Sequence, residues 1–461
     1  MNRLPPEILS YITQYIPDEN ARDTRLIIPV THVCRYWRES IISTADIWTS
    51  ISSRSKDLAA LSLDRSKAAP LNLWLDTLQI RSNPGFPDLI APYMQNVETL
   101  FFCCASSIGE LSQTLPKFPQ SMPNLQSLSL SGPARASRWD WSSDPFGPLT
   151  ADLTHFSLRN VPLYPSFLHF RALTDLVLYS DRFGLHVDTL LDFLEQNGSL
   201  ESVTLDLRFA EPSLRISRRR APIENRLRSL SIRSTDTMEN DALISNITLW
   251  RGARLEITLA GLGTGLNGIL PVISAIHLSN LQPSTFMEYR PDKWSIRLLG
   301  PNGSFSFNRF PGPEDPFAWF SLLPLTNIRG FYLARREERE SFFFAIDPIV
   351  FPPSFLPVLE TLAIEREPTV SHLLSALFSN PSSSPSLNTL AFLNCNLDEA
   401  FMEALTRFAS KRKNTASAWL HRIVIVNSKG NLPRVALIDA LGKHVPIVDA
   451  RIGKNLPKDL I

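Results

Sequence analysis

A chain of 461 residues is too long for one ordinary globular core unless that core grows by repetition. Hydrophobic residues make up 44 % and charged residues 20 %, the balance of a folded chain rather than a disordered one. A net charge of +1 gives no reason to expect a nucleic acid or a membrane surface as partner. Proline is abundant (36) and glycine scarce (18), which breaks the chain into short elements joined by tight returns.

The first residues carry no apolar stretch of the kind a secretory signal needs, and no apolar run is long enough to span a bilayer. Leu4-Pro5-Pro6-Glu7-Ile8-Leu9 predicts a helix start: proline is tolerated in a first turn, and Glu7 sits near the positive end of the dipole. Ile8, Ile12 and Ile16 form an apolar stripe that Pro17 and Asp18 end. A second stripe, Val30, Val33, Cys34, Trp37 and Ile41, has helical spacing, with Arg35, Arg38 and Glu39 on its opposite face. Asp46-Ile47-Trp48 then returns a second tryptophan over the helices. Two or three helices in some fifty residues bury too little surface to stand alone, so they need a partner in this chain or another.

These pieces, together with Thr31-His32-Val33-Cys34-Arg35-Tyr36-Trp37-Arg38-Glu39, resemble the F-box in the form common in large fungal families. The resemblance implies a three-helix motif that docks on the small adaptor subunit of SCF-type cullin-RING ubiquitin ligases. By position it implies a leading contact from Leu4, Pro5, Pro6, Glu7 and Ile8, and a shared apolar surface from Ile12, Val33, Cys34 and Trp37. The segment from Asp18 to Pro29 is longer than the compact F-box pattern. A plainer alternative is an amphipathic helical cap on a repeat protein.

From about Val97 onward one pattern returns: an apolar residue, two others, an apolar residue, one other, an apolar residue. Clear copies are Leu125 to Leu130, Leu173 to Leu178, Leu200 to Leu205, Leu227 to Ile232, Leu359 to Ile364, Leu387 to Phe392 and Leu420 to Ile425. Weaker copies begin at Val97, Leu153, Ile273 and Ile328. Starts fall roughly 20 to 33 residues apart, often near 27, the period of leucine-rich repeats. Each copy predicts a short strand with one face inward, and stacked copies predict a parallel sheet. Helical returns are expected at Val187 to Leu194 with Asp188 as cap, at Thr369 to Phe378, and at Leu397 to Phe408 capped by Asp398.

Between Gly252 and Phe310 the pattern is interrupted. Gly300-Pro301-Asn302-Gly303 predicts a hairpin turn between Ile296-Arg297-Leu298 and Phe305-Ser306-Phe307. Arg54 to Leu75 reads as a linker leading into a first strand at Leu71 to Leu75, and the serine-rich Pro381 to Pro385 as a loop. A solenoid's extended surface is its concave sheet. Candidate substrate-binding positions there are His155, Arg159, Asp175, Tyr179, Asp206, Arg233, Tyr332 and Glu365. For each residue singly, solvated surface is the plainer reading.

No catalytic, cofactor-binding or metal-binding residue is assigned. Gly263-Thr264-Gly265-Leu266-Asn267-Gly268 fits a dinucleotide fingerprint, follows the strand-like Leu255 to Leu259 and precedes Glu288, but Pro271 stands where its helix would need a hydrogen bond. The eight histidines are dispersed, and the four cysteines (Cys34, Cys103, Cys104, Cys395) make no C-x-x-C pair, so buried thiols in a reducing cytosol or nucleus are expected. Arg218-Arg219-Arg220 and Lys411-Arg412-Lys413 are basic runs of a kind that serves nuclear import or meets phosphate, though a solvated loop or helix end is the plainer reading.

The sequence therefore predicts an α/β chain: an F-box-like domain over 1–52, a linker with first strand over 53–95, and an irregular leucine-rich-repeat solenoid over 96–461. The expected function is substrate recognition for an SCF-type ligase in the cytoplasm or nucleus, with no enzyme activity, no cofactor, and an unidentified protein substrate. The alternative is a repeat scaffold for protein interaction that keeps an F-box-like cap outside any ligase.

Overall fold

Leu71, Leu73 and Leu75 are buried while Asn72, Trp74 and Asp76 between them stay half-exposed, the period-2 signature of a strand with one covered face. That pattern, repeated, builds the computed structural model. It describes residues 5, 8, 11, 27–104, 122–133, 152–161, 170, 172–185, 187–209, 223–224, 226–234, 243–244, 246–250, 252–259, 286–290, 295–300, 303–309, 325–334, 356–365, 385–395, 399–413, 419–426 and 434–451. The chain divides into two units, Met1–Arg226 and Leu227–Ile461. It is a mixed α/β protein in which N-terminal helices precede long runs of parallel strands, a fold that resembles a leucine-rich-repeat solenoid.

In the first unit, α1 (Ile27–Thr31) and α2 (Arg35–Ser43) lead through a 3₁₀ turn at Ala45–Trp48 into β1 (Ser50–Ser52). The stripe read as one helix is thus two. Cys34 is extended, its Sγ accepts from the Trp37 N–H, and the break turns Val33 away from Val30 and Ile41. The interval read as a linker is also structured: α3 (Lys56–Ser66) buries Ala59 and Leu63 and is capped by Ser55 Oγ on the Leu58 N–H. The first strand is therefore β1, ahead of the predicted β2 (Leu71–Asp76), with which it pairs in parallel.

After α4 (Thr77–Ser82) and α5 (Phe86–Ile90), the parallel ladder continues through β3 (Val97–Cys103), β4 (Ser127–Ser131), β5 (His155–Arg159), β6 (Asp175–Leu185) and β7 (Ser202–Phe209). Thr99, Ser127, His155, Asp175 and Ser202 hold one register position, at steps of 28, 28, 20 and 27 residues. The apolar triplets Leu125/Leu128/Leu130, Leu153/Phe156/Leu158, Leu173/Leu176/Leu178 and Leu200/Val203/Leu205 are all buried. The first member of each lies ahead of its strand. Leu125 and Leu200 enter through turns to the Met122 and Asn197 carbonyls. The expected helix at Val187 is α6 (Val187–Gln196), but Asp188 lies inside its first turn rather than capping it.

The second unit starts with β8 (Ser229–Ser234) and β9 (Arg254–Leu259), parallel to each other. The predicted interruption is a three-stranded antiparallel insertion within the sheet: β10 (Phe286–Arg290), β11 (Ser295–Gly300) and β12 (Gly303–Arg309). Gly300 faces Gly303 across the expected hairpin. β12 pairs in parallel with β9, and β10 pairs in parallel with β13 (Gly330–Ala334), so the ladder passes through the insertion unbroken. Gly330 faces Phe286 there, and a Cβ at 330 would lie 2.7 Å from the phenyl ring.

Parallel β14 (Thr361–Glu365), β15 (Thr389–Leu393), β16 (Arg422–Val426) and β17 (Ile447–Arg451) follow, with α7 (Glu399–Lys413) and α8 (Arg434–Gly442) between the later strands. α7 is the expected helix, and Phe401 meets Phe392 edge-on at 5.0 Å. Leaving β5 and β15, Asn160 and Asn394 adopt positive φ (51° and 53°), a left-handed turn that asparagine tolerates better than most residues. Cys395 then tucks its Sγ within 3.4 Å of the Ile364 carbonyl on the neighbouring strand. The expectations at Thr369–Phe378, Asp398, Gly263–Gly268, Ile273, Arg218–Arg220 and most of Pro381–Pro385 fall outside the described residues.

The two faces of β4 give a direct test. Leu128→Ala, in the covered row, is expected to cost about 2–5 kcal/mol, whereas neighbouring Ser129→Ala stays within about 0.5 kcal/mol. Urea or thermal melting of the two variants reads the difference; equal effects would refute the facing.

Candidate functional site

Two surfaces of the first unit carry most of the sequence candidates. In the N-terminal module, Ile27, Val30, Ile41, Ile47 and Trp48 make a small core. Trp48 is its keystone: its Nε1 donates to the Ile41 carbonyl at 2.8 Å, and the Arg65 guanidinium of α3 lies 4.3 Å above its ring. β1 begins two residues later, and the Thr49 carbonyl accepts from the Asn72 N–H of β2. Helices and sheet therefore meet without a free linker.

Outside that core the module leaves large apolar side chains in solvent: Ile8 (43 % exposed), Val33 (56 %), Tyr11, Ile28 and Ile42. Ile8 and Tyr11 are each helical and stand three apart in sequence, the spacing of side chains on one helix face. Of the expected docking residues, Pro5, Ile8 and Val33 are exposed, and Cys34 and Trp37 are half-buried. Trp37 Nε1 is shut away from solvent with no acceptor among the described residues. Leu4, Pro6, Glu7 and Ile12 lie outside the described residues. Sequence reasoning missed Tyr11 and Ile28; the i+3 spacing from Ile8 was the available signal for Tyr11.

The second surface is the outward face of β2–β7, ordered by register into three rows. The first runs Asn72, Thr99, Ser127, His155, Asp175, Ser202; the second Trp74, Phe101, Ser129, Ser157, Val177, Thr204; the third Asp76, Cys103, Ser131, Arg159, Tyr179, Asp206. Five sequence candidates thus fall on one face. His155 Nε2 lies 3.2 Å from Asp175 Oδ2, and its Nδ1 is 2.9 Å from the Thr154 hydroxyl. Thr174 Oγ1 donates to the same Asp175 oxygen at 2.8 Å. The Arg159 guanidinium stands 4.8 Å above the Tyr179 ring, and the Trp74 and Phe101 rings pack at 4.7 Å. Burial, and then the Asp76 carboxylate, push the Cys103 thiol up, outweighing the Ser131 hydroxyl and the Arg159 cation. Cys103 is therefore held as a thiol, not activated as a nucleophile.

The remaining candidates lie in the second unit. Arg233 is exposed at the end of β8. Tyr332 and Glu365 are committed internally: the tyrosine hydroxyl donates to the Glu365 carboxylate, whose other oxygen accepts from Asn394 Nδ2 at 3.1 Å. Beside them Ala363, Ala391, Leu393, Val424 and Val426 form an apolar cluster on the face opposite Leu362, Leu390 and Ile423. Ala391 is 0 % exposed, so β14–β16 are covered on both faces. Tyr332 and Glu365 are themselves half-exposed at the margin of this covered patch.

Other sequence signals are likewise absorbed into structure. Arg412, in the basic run of α7, is 1 % exposed; burial lowers its pKa to about 10, and its Nη2 donates to the Pro385 carbonyl at 3.3 Å. Lys413 Nζ donates to the Lys443 carbonyl. Glu288, the acidic residue of the dinucleotide pattern, faces Arg297 on the adjacent strand of the insertion. Cys104 and Cys395 are buried as expected, while Cys34 and Cys103 are only half-buried. Among the described residues no cluster of metal-binding side chains occurs, and no helix is long and apolar enough to cross a membrane.

Residues 1–54 match the F-box-like family model. The F-box-like match ends just beyond β1, so it takes in the Trp48 core and the first strand of the sheet. A search of curated proteins finds no matching sequence. Among solved structures, an internalin from Listeria monocytogenes is similar at 12 % identity and a TM-score of 0.27, covering 73 % of this chain and 82 % of the internalin chain.

Trp48→Ala is expected to cost about 3–5 kcal/mol through lost burial. It also removes the Arg65 contact between module and α3. Limited proteolysis is expected to cut near residues 48–54 in the variant and to spare that segment in the wild type; unchanged protection would refute the keystone role.

Proposed function

We propose that this chain is the substrate-choosing subunit of an SCF-type cullin-RING ubiquitin ligase, with the F-box-like module on the small adaptor subunit and the repeats on a protein substrate. The observation that carries the reading is the F-box-like match over residues 1–54, on a module whose Ile8, Tyr11, Ile28 and Val33 remain in solvent. Large apolar side chains left in solvent on so small a domain suit a surface made for another protein. Leu4, Pro5, Pro6, Glu7, Ile8, Ile12, Val33, Cys34 and Trp37 are proposed as the docking set. His155, Arg159, Asp175, Tyr179 and Asp206 are proposed as the substrate side.

The mechanism is proximity. Holding a substrate lysine near a charged ubiquitin carrier raises its effective concentration, and the bond chemistry belongs to other subunits. The joint at Trp48 supports this: a stiff connection holds the substrate in fewer positions than a flexible tether. The site of action is proposed to be the cytoplasm or nucleus, where the ligase partners would meet the chain.

The test is capture of the purified adaptor subunit by the full chain and by an Ile8→Asp, Val33→Asp variant. Both side chains are exposed, so the variant is expected to melt like the wild type. Adaptor affinity is expected to fall at least about tenfold, as for central apolar contacts in interfaces. A folded wild type that captures no adaptor would overturn the ligase reading and favour a repeat scaffold with an F-box-like cap.

A further inference from the structure

We infer that the outward face of β2–β7 receives an extended, basic segment of the partner protein, an inference that rests on the substrate-holding reading above. The face is open where its counterpart is closed: Val177 in the central row is 39 % exposed, whereas Ala363, Ala391 and Val424 on β14–β16 are buried. Substrate contact is thereby directed to the first unit's face.

A visitor on the face of a sheet meets no free backbone edge, so its own N–H and C=O groups must be satisfied by side chains. Ser127, Ser129, Ser131, Ser157, Ser202 and Thr204 provide short hydroxyls that both donate and accept, and they lose little entropy when they are engaged. The Trp74–Phe101 ring pair at one end of the central row and Val177 towards the other supply apolar anchors. Strands stand about 4.8 Å apart, so β2 to β7 spans roughly 24 Å, the length of seven or eight extended residues.

Charge sets the sign of the visitor. Among the described positions of the three rows the carboxylates are Asp76, Asp175 and Asp206, against the single cation Arg159, with His155 held at Asp175. Asp175 and Asp206 flank the central row on opposite sides, one strand apart. An extended chain points alternate side chains to opposite sides, so successive lysines or arginines would meet them.

The experiment selects binders to the full-length chain from a displayed library of random peptides about 12 residues long, enough to cross the face. Lysine- and arginine-rich peptides with an aromatic or aliphatic residue are expected. Their affinity is expected to fall at least about tenfold with Ser129→Arg, Ser157→Arg, and to weaken and lose salt sensitivity with Asp175→Asn, Asp206→Asn. Melting temperature and adaptor capture, measured on both variants, separate failure of the face from failure of the fold or of the ligase reading. Acidic or neutral selected peptides, basic peptides that bind both variants like the wild type, or no binder at all would overturn the inference.

Discussion

The repeat region depends on one constraint, the in-register parallel ladder. Side chains alternate along each strand, so a slip of one residue would expose every leucine of a copy and bury its serines. The ladder prevents this by pairing like with like: Leu128 with Phe156 and Leu176, Ser129 with Ser157 and Val177. Each copy then covers the apolar flank of the next, and the loops between copies can vary in length without disturbing the face. Steps as different as 20 and 28 residues share one sheet for this reason.

The insertion at β10–β12 shows how tolerant that rule is. An antiparallel hairpin keeps the strand spacing and alternation of the sheet, so β9 can hand over to β12 and β10 to β13 without an edge appearing between them. Gly330 supplies the close approach that Phe286 requires at the handover. The same economy appears at the module, where Trp48 closes the helical core and the chain enters β1 two residues later.

Much of this architecture was legible in the amino-acid order, because a leucine repeat states both its period and its facing. The hairpin was legible from Gly300 and Gly303, and α6 and α7 from helical spacing. What was not legible depended on tertiary contacts. Cys34 looked like part of an apolar stripe and is a helix cap, since a thiol placed before Trp37 can accept its N–H. Lys56–Ser66 looked like a linker because its burial is thin, and only the contacts of Ala59, Leu63 and Arg65 give it purpose. Arg412 read as surface charge and is buried. Alternation alone could not distinguish an open strand face from one covered a second time. Nevertheless, the small and branched residues Ala363, Ala391, Val424 and Val426 were a clue in the letters themselves. Of the proposed sites, the docking edge was read from resemblance, and the face of β2–β7 from the strand period.

The shared position of Ser50–Ser52 has a consequence for how the chain can be divided. These residues end the helical module and begin the sheet, and both sides use Trp48 through the Ile41 carbonyl and the Arg65 guanidinium. A cut ahead of β1 would leave the helices without that strand and the sheet without Trp48, and a cut after β1 would take both from the sheet. Helical module and first strands are therefore one structural unit: a graft that moves the module intact to another protein must carry the chain through α3 and β2.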